Sequence, residues 1–368
     1  MDVLIIGGGL AGLSAAITLR EHGAAVTLIE ADAEWGALGA GLSLNGASLR
    51  ALRNLGVLSE VERLGFTHDK RRLYSASGEL QFESDGKRVF GPDVPNGGAI
   101  MRPKLHGLLL RRLEELAVDI RPGVSATDIV SEELGIVETS GGERLQAEMV
   151  ICADGFWSPM RQQLFPNAPE SQFTGQGCWR AVVDRPDHIR GACTFLGSMK
   201  VGVNPVSDKQ MYMFLLQNMD EDEWIDEAEW LPKLRRLLAE FGGIIGDIRD
   251  KLGPENQVNY RPLKVHVLPP PWHRGRFLLI GDAAHSTTPH AAYGAGLAFE
   301  DGLLLGELYG RRLSREDIFS VFMDSRYERC RKVVEGSVAI GEVERRNGTM
   351  EEYRQAFEAV QKSVREDG

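Results

Sequence analysis

A glycine pattern near the N-terminus most constrains what this chain can fold into. Gly7, Gly9 and Gly12 have the spacing G-x-G-x-x-G, directly after the apolar run 3–6 and before a predicted helix. Gly7 allows a tight turn, Gly9 lets the backbone approach a pyrophosphate, and Gly12 lets the helix pack closely on the sheet. The free N–H groups and the positive dipole end of that helix favour a bound diphosphate. The pattern predicts a dinucleotide-binding βαβ unit.

An acidic residue ends the second predicted strand, with Val26 in the strand and Glu30 at its tip. A carboxylate there accepts hydrogen bonds from ribose hydroxyls and repels a 2′-phosphate, so the expected ligand is FAD or NAD rather than NADP. A lone G-x-G-x-x-G would also describe a simple glycine-rich turn. Strand, helix, second strand and acid in register favour the nucleotide site.

Composition excludes several classes of protein. A chain of 368 residues, 43% hydrophobic and 26% charged, is typical of a globular enzyme with two domains or one elaborated α/β domain. The net charge of −11 disfavours binding to nucleic acid or to anionic membranes. No apolar run is long enough to span a membrane, so no membrane span is expected. The four cysteines lie far apart without a C-x-x-C pair, so neither a zinc site nor a disulfide framework is expected, and a cytoplasmic protein without a bound metal fits this usage.

Two further predicted strands end in polar turns. The segment MVICADG ends in Asp154 and Gly155, and RFLLIGDAAH contains Gly281 and Asp282. Between them, residues 173–217 alternate like short strands and predict an antiparallel sheet, hence a second domain. The expected nucleotide-binding domain comprises residues 1–72, 100–172 and 265–368, and the expected substrate domain comprises residues 73–99 and 173–264.

The three motifs, taken in this order, resemble those of the single-component (class A) flavoprotein monooxygenases. These are the aromatic-ring hydroxylases of the para-hydroxybenzoate hydroxylase type, and the resemblance extends to about residue 310. It implies an α/β fold with a Rossmann-like, glutathione-reductase-like FAD-binding domain and a mixed or antiparallel substrate domain. It also implies non-covalent FAD. No second G-x-G-x-x-G follows a predicted strand, so NAD(P)H is expected as a transient co-substrate.

The resemblance assigns roles by position. It places Glu30 on the adenosine ribose, Asp282 on the ribityl chain, and Arg102 beside the ribityl chain and diphosphate. Asp154 and Arg161 match the D-G-x-x-S-x-x-R element, associated with FAD and with reduced nicotinamide. The full expected cofactor set is Gly7, Gly9, Leu10, Ala11, Gly12, Glu30, Arg102, Asp154, Arg161, Gly281, Asp282, Pro289, Gly294, Ala295, Gly296 and Leu297.

Two observations leave alternatives open. Asp154 and Asp282 could each simply cap a helix, which is a common use of aspartate after a strand. Members of the family commonly carry an arginine about six residues after the ribose-binding acid, where this chain has Gly36. The docking of the diphosphate or the nicotinamide is therefore expected to differ in detail.

The expected flavin environment lies after the third motif. Pro289 matches the family's proline beside the isoalloxazine, and a helix is predicted to begin at 294–297. The positive end of that helix would face the N1/C2-carbonyl edge and favour the anionic reduced flavin by up to ~2 kcal/mol. His285 is expected to make structural hydrogen bonds, whereas His290 is a candidate for contact with substrate.

Two residues of the predicted second domain are further candidates for the substrate pocket. Lys200 and Tyr212 flank a turn, so an antiparallel hairpin would bring them to neighbouring positions of the sheet. Related urate-type hydroxylases carry an arginine near the Lys200 position and a substrate-contacting tyrosine in a similar strand. A cation there would favour an anionic phenolate or carboxylate. Burial of Tyr212 in the core and solvent exposure of Lys200 are the alternatives.

The resemblance implies NAD(P)H- and O₂-dependent hydroxylation of a small electron-rich aromatic or heteroaromatic substrate through a flavin C4a-hydroperoxide. A flavin-dependent oxidase or reductase on the same fold, or a non-catalytic FAD-binding protein, are the alternatives. A halogenase is disfavoured because the chain has no W-x-W-x-I-P motif. A monomer or homodimer is expected.

Overall fold

The structure is a computed structural model that describes residues 1–35 and 41–366. Gly36, the position at which the family commonly has an arginine, lies outside the described residues. The strands of the described part are, in chain order, β1 (Asp2–Ile6), β2 (Ala25–Glu30), β3 (Gly41–Asn45), β4 (Phe66–His68), β5 (Lys70–Ser75), β6 (Leu80–Asp85), β7 (Gly97–Met101), β8 (Asp119–Pro122), β9 (Ala126–Ser131), β10 (Ile136–Thr139), β11 (Arg144–Gln146), β12 (Met149–Cys152), β13 (Gln172–Asp184), β14 (Ala192–Leu196), β15 (Lys200–Pro205), β16 (Gln210–Asn218), β17 (Asn259–Val267), β18 (His273–Arg274), β19 (Phe277–Leu279) and β20 (His285–Ser286).

The helices confirm the boundaries expected from local signals. A helix predicted from about Ala47 to Leu55 is present, and Pro103 lies in the first turn of another. The α-helices are α1 (Leu10–Glu21), α2 (Gly46–Asn54), α3 (Leu58–Leu64), α4 (Arg102–Glu115), α5 (Pro159–Leu164), α6 (Glu227–Leu237), α7 (Gly243–Lys251), α8 (Gly294–Gly310), α9 (Arg315–Arg345) and α10 (Met350–Glu366). Within the described ranges, no helix is both long and apolar enough to cross a membrane.

A six-stranded sheet carries the three motifs. Its strand order is β18-β19-β12-β1-β2-β8, and β1 runs parallel to both β2 and β12, with β19 parallel to β12. The apolar runs of β1, β12 and β19 are buried. Because parallel strands present their carboxyl ends at one edge, the turns after β1, β12 and β19 meet there. The predicted Rossmann-like domain is confirmed.

An eight-stranded sheet forms the second large layer, in the order β20-β17-β13-β16-β15-β14-β5-β6. Its pairs are antiparallel apart from the parallel pair of β14 with β5, so the prediction of a mixed or antiparallel sheet is confirmed. Along β16, Met211, Met213 and Leu215 enter a core that includes residues of α6 and α7, whereas Tyr212 and Phe214 point to the opposite, inner face. This alternation follows from the two-residue period of a strand.

Two smaller sheets and a long helix complete the fold. Strands β3, β7 and β4 form one three-stranded sheet, and β11, β10 and β9 form another. The 31-residue helix α9 contacts β13, β17 and β20 of the eight-stranded sheet as well as α8 of the nucleotide-binding layer. The exact domain boundaries given above stay a prediction.

Candidate active site

The turn after β1 has the geometry that its glycines require. Gly7 has a φ of +103°, and a Cβ at this position would meet the backbone of Ala153. A Cβ at Gly12 would overlap the carbonyl oxygen of Gly7, whereas a Cβ at Gly9 would meet nothing within 4 Å. No described side chain caps α1 at Gly9, and its first turn contains no acidic residue. The first N–H groups of α1, which include those of Leu10 and Ala11, are therefore available to a diphosphate.

Glu30 lies beside this turn. One of its carboxylate oxygens accepts a hydrogen bond from the Gly8 N–H at 2.6 Å, which draws the tip of β2 towards the glycine turn. Trp35 Nε1 donates to the Gly8 carbonyl oxygen at 3.2 Å, and His106 Nε2 lies 2.9 Å from the same oxygen. Burial lowers the pKa of His106, so a neutral imidazole donates to this carbonyl. Sequence analysis missed Trp35 and His106, because neither lies in a recognised motif.

Arg102 lies near enough to Asp282 for its positive charge to influence the pKa of that carboxyl, and contact of both residues with one ligand stays a prediction. The Asp282 side chain is accessible to solvent, yet protein surrounds it closely enough to raise its pKa. The positive charges of His285 and Arg102 oppose that rise. Arg102 is exposed at the first position of α4. An accessible carboxylate that protein surrounds this closely is typical of a cleft.

Asp154 and Arg161 of the second motif form hydrogen bonds that hold the loops near Asp282 of the third motif. The carboxylate of Asp154 accepts hydrogen bonds from Ser158 Oγ at 2.6 Å and from the Met160 N–H at 3.0 Å. It thus makes the helix-capping contacts that were the alternative to ligand binding. Arg161 donates to the carbonyl oxygen of Ala283 at 2.9 Å and to that of Phe156 at 2.7 Å. In this structure both residues organise the loops around Asp282, and direct contact with a ligand stays a prediction.

A buried ionic cluster lies beneath the third motif. Asp301, fully buried in α8, accepts hydrogen bonds from the Gly281 N–H at 2.8 Å, from His285 Nε2 at 2.9 Å and from Arg326 Nε at 2.7 Å. His285 therefore makes structural hydrogen bonds, as expected. The nitrogen and sulphur atoms of His285 and Cys330 and a carboxylate oxygen of Asp301 lie within 4.8 Å of one another. The Arg326 guanidinium already neutralises this carboxylate, so the arrangement is an ion-pair cluster.

This cluster predicts that the protein loses stability as the pH rises above neutrality. Burial disfavours the charged form of His285, but the Cys330 thiol and the Asp301 carboxylate outweigh burial and raise its pKa to about 10. In the unfolded chain a histidine titrates near about 6.5, so the stabilisation is complete below that pH and disappears as the pH approaches 10. We expect the free energy of unfolding, measured with saturating FAD, to fall by up to about 1.4 kcal/mol per pH unit across this window.

His285→Gln is the matched variant for this measurement. It removes the titrating group and should show a shallower decline over the same pH range. Parallel curves for the variant and the wild type would contradict the assignment.

The start of α8 has an open N-terminus. The turn 289–291 precedes it, and no described side chain caps the helix at Tyr293. Gly294 and Ala295 are partly exposed, whereas Gly296 and Leu297 are buried. A Cβ at Gly296 would overlap the Tyr293 ring, so this glycine serves packing. The free N–H groups that sequence analysis expected at a flavin edge are present at 294 and 295.

These features fit an FAD molecule. Helix α1 offers an uncapped N-terminus for the diphosphate, with open space above Gly9. Asp282 offers an accessible carboxylate for the ribityl hydroxyls. Helix α8 offers a second uncapped N-terminus for the electron-rich edge of the ring. The separate anion and hydroxyl sites match the separate polar parts of one extended dinucleotide.

On the inner face of the eight-stranded sheet, the expected hairpin is present but its register differs from the expectation. Lys200 pairs with Leu216, and Tyr212 pairs with Asn204. The prediction that Lys200 and Tyr212 occupy neighbouring positions is therefore wrong, because the turn of the hairpin places them four residues apart along β16. Tyr212 packs with Ala99 and Val206, and a Cβ at Gly41 would meet its side chain.

Lys200 does not point to solvent, since only 8% of its side chain is exposed. Its Nζ forms an ion pair with Glu344 near the end of α9 and lies 5.6 Å from the centre of the Tyr353 ring. Burial disfavours the Glu344 carboxylate, but Lys200 outweighs that effect and lowers the pKa of Glu344 to about 2. His290 Nε2 lies 3.4 Å from the same carboxylate. Sequence analysis missed Glu344, because the final helices carry no motif.

A further residue that sequence analysis missed is Arg180 on β13. Its Nε donates to the Tyr212 hydroxyl at 3.2 Å. Burial raises the pKa of Tyr212 to about 12, so its hydroxyl stays protonated at neutral pH. Arg180 lies in no motif, and only the pairing of β13 with β16 brings it to Tyr212.

Comparison with known proteins identifies the family of this chain. The family model described as an FAD binding domain matches residues 1–337. YetM of Bacillus subtilis (strain 168) is 31% identical over 336 residues, which cover 90% of each protein. The 6-hydroxynicotinate 3-monooxygenase of Bordetella bronchiseptica is 27% identical over 347 residues, covering 90% of this chain and 89% of that enzyme.

A solved structure has the same fold. Klebsiella pneumoniae HpxO, in complex with FAD and uric acid, superposes with a TM-score of 0.83 at 22% identity, covering 100% of this chain and 93% of that one. At this identity the similarity concerns the fold alone. Together with the family match over most of the chain, these findings show that the chain belongs to the single-component FAD-dependent monooxygenases, the aromatic-ring hydroxylase family of oxidoreductases, and that its cofactor is FAD.

Proposed function

We propose that this protein catalyses the NAD(P)H- and O₂-dependent hydroxylation of a small, electron-rich aromatic or heteroaromatic ring. The proposal rests on a contact between two parts of the structure, which are the inner face of the eight-stranded sheet and the turn before α8. Glu344 pairs with Lys200 on the inner face of the sheet and lies beside His290 in the turn before α8. The inner sheet face and the start of α8 therefore meet at Glu344, and we propose that a ring substrate lies near this junction, against the flavin.

The chemistry that FAD would supply when bound is acceptance of a hydride from NAD(P)H and activation of O₂ for transfer of one oxygen atom. The protein supplies orientation and exclusion of water. Tyr212 accepts a hydrogen bond from Arg180 Nε, so its own hydroxyl hydrogen is available to a substrate oxygen. Tyr212 and Phe214 lie among apolar side chains of the inner face, which keep this space poor in water. Pro289 and His290 are proposed to border the substrate from the flavin side.

The relatives support this assignment. The Bordetella enzyme is named for oxygenation of a hydroxylated pyridine ring, and the HpxO structure contains uric acid, a nitrogen heterocycle. Both ligands are small, planar and rich in electrons. The nicotinamide has no nucleotide turn of its own in the sequence, so we propose that it binds transiently at the FAD cleft.

The test is oxygen incorporation by the holoenzyme. Phenols, aromatic acids and purine-like heterocycles are screened for stimulation of NADH and NADPH oxidation, and products of the effective compounds are analysed by mass under ¹⁸O₂. We expect at least one compound to accelerate NAD(P)H oxidation and to acquire one labelled oxygen atom.

Other outcomes would contradict the proposal in distinguishable ways. Peroxide formation without an oxygenated product would indicate a flavin oxidase. Label arriving only from labelled water would exclude oxygen transfer from O₂. Retention of FAD without reduction by either nicotinamide, with every compound of the panel, would indicate a non-catalytic FAD-binding protein.

A further inference from the structure

Three residues on one face of α9 contact the turn that precedes α8. Ser337, Gly341 and Glu344 are spaced by four and three residues, and residues at this spacing lie on the same face of a helix. The turn comprises residues 288–291 and ends two residues before the open start of α8, where the flavin is expected. The family match ends at residue 337, so Gly341 and Glu344 lie beyond the part of the chain that it covers.

The hydroxyl group of Ser337 binds the backbone of this turn. Ser337 Oγ accepts a hydrogen bond from the Ala291 N–H at 3.2 Å and donates to the Thr288 carbonyl oxygen at 3.0 Å. It also lies 2.8 Å from Thr288 Oγ1. Ser337, Thr288 and Ala291 are all buried. Loss of the hydroxyl group would therefore remove a partner from a buried backbone N–H, which is costly.

The side chain of His290 lies against α9 at Gly341. Its Nδ1 lies 2.8 Å from Thr288 Oγ1, and its Nε2 lies 3.4 Å from the Glu344 carboxylate. The ring is fully buried, and burial lowers the pKa of His290, so the ring is neutral at neutral pH. A Cβ at Gly341 would lie 3.0 Å from His290 Cε1 and 2.9 Å from Gln176 Oε1. The ring can lie this close to α9 because residue 341 has no side chain.

Glu344 connects this arrangement to the eight-stranded sheet. Its carboxylate pairs with Lys200 at the start of β15, and β15 is held in the sheet by its pairing with β14 and β16. The turn 288–291 is thus fixed by hydrogen bonds at Ser337, by packing at Gly341 and by a charged neighbour that the sheet holds in place. These contacts leave the turn little freedom to move relative to the start of α8.

We propose that Ser337 and Gly341 are positioning residues for the flavin, which set the approach of the start of α8 to the ring and so tune the reduction potential of bound FAD. The positive end of a helix favours the anionic reduced flavin, and this effect falls off within the first turn. Because N–H groups donate within a narrow range of directions, displacement of the turn either way weakens the effect. The inference rests on the expected placement of the flavin at the start of α8 and holds for any reaction of that flavin.

The test measures the midpoint potential of FAD in the purified holoenzyme, together with hydrogen exchange of the backbone amides of residues 288–297. Ser337→Ala removes the partner of the Ala291 N–H, and Gly341→Ala places a methyl group against the His290 ring. In each variant reduced FAD should bind about threefold to tenfold more weakly relative to oxidised FAD. This change corresponds to a midpoint potential about 15–30 mV more negative than that of the wild type. Exchange of the Ala291 amide should be faster in Ser337→Ala.

Two control variants separate the turn from general effects of substitution. Ser325→Ala makes the same change at an exposed position of α9. Gly107→Ala adds the same methyl group at a helix position where a Cβ meets only the end of Arg111, at 3.7 Å. Both should keep the potential and the amide exchange of the wild type. All variants are compared at full FAD occupancy, after thermal unfolding has shown that each is folded.

A potential that is unchanged or more positive in Ser337→Ala or in Gly341→Ala would overturn the proposal, even if amide exchange in the turn increased. A negative shift of the same size in either control would also overturn it, because the shift would then not depend on the turn. If one of the two test variants does not fold, the other decides. These measurements need neither substrate nor oxygen. A protein whose potential shifts as expected but which incorporates no label from ¹⁸O₂ would refute the hydroxylase function and leave the positioning role in place.

Discussion

Gly12→Val is expected to yield protein largely without FAD. A Cβ at Gly12 would overlap the Gly7 carbonyl oxygen and lie 3.3 Å from Ile5 Cγ2, so α1 would have to move away from β1. That movement displaces the first N–H groups of α1 from the diphosphate site. The flavin content is measured as the ratio of flavin absorbance to protein absorbance after purification.

Two variants make this result interpretable. Gly107→Val places the same side chain at a helix position where a Cβ meets only the end of Arg111, at 3.7 Å, and should retain FAD. Asp282→Ala leaves the backbone intact but removes the carboxylate expected on the ribityl hydroxyls. Its cost of ~1–3 kcal/mol corresponds to a fall in FAD affinity of about tenfold to a hundredfold. Normal flavin content in both Gly12→Val and Asp282→Ala would refute the cofactor assignment.

Lys200→Met should destabilise the protein by about 3–5 kcal/mol, because it leaves the Glu344 carboxylate buried without its cation. The double variant Lys200→Met/Glu344→Leu removes both charges and should recover much of this loss. The measurement is the free energy of unfolding in urea with saturating FAD. The matched control is Arg331→Met, which breaks exposed ion pairs on α9 and should leave stability little changed.

The same variants decide between two roles for Lys200. If Lys200→Met kept the stability of the wild type but weakened the binding of acidic substrates, Lys200 would be a substrate-binding residue and the structural role of its ion pair would be wrong. A loss of stability that Glu344→Leu does not relieve would also contradict the pairing, because removal of the second charge would then have no compensating effect.

Features carried by short sequence segments could be predicted from the sequence. Gly12 predicts close packing of α1 because the absence of a side chain is a local property, and Pro103 predicts the start of α4 because its ring fixes φ and removes a donor. The two-residue period of β16 predicts a sheet, and Asp282 after a buried strand predicts a polar turn at the sheet edge. These signals act within a few residues, so the order of residues is sufficient to determine them.

The arrangement of residues at the proposed substrate site could not be predicted from the sequence, because it depends on the tertiary structure. The register of β15 and β13 against β16 determines whether Lys200 or Arg180 lies beside Tyr212. That register depends on contacts between residues of different strands. Whether the Lys200 charge is available depends on Glu344, 144 residues away on α9. Sequence alone thus determined the nucleotide-binding turns and the family of this protein. Only the packing of distant segments decided that the Lys200 charge is neutralised, because an ion pair forms where the fold brings opposite charges together.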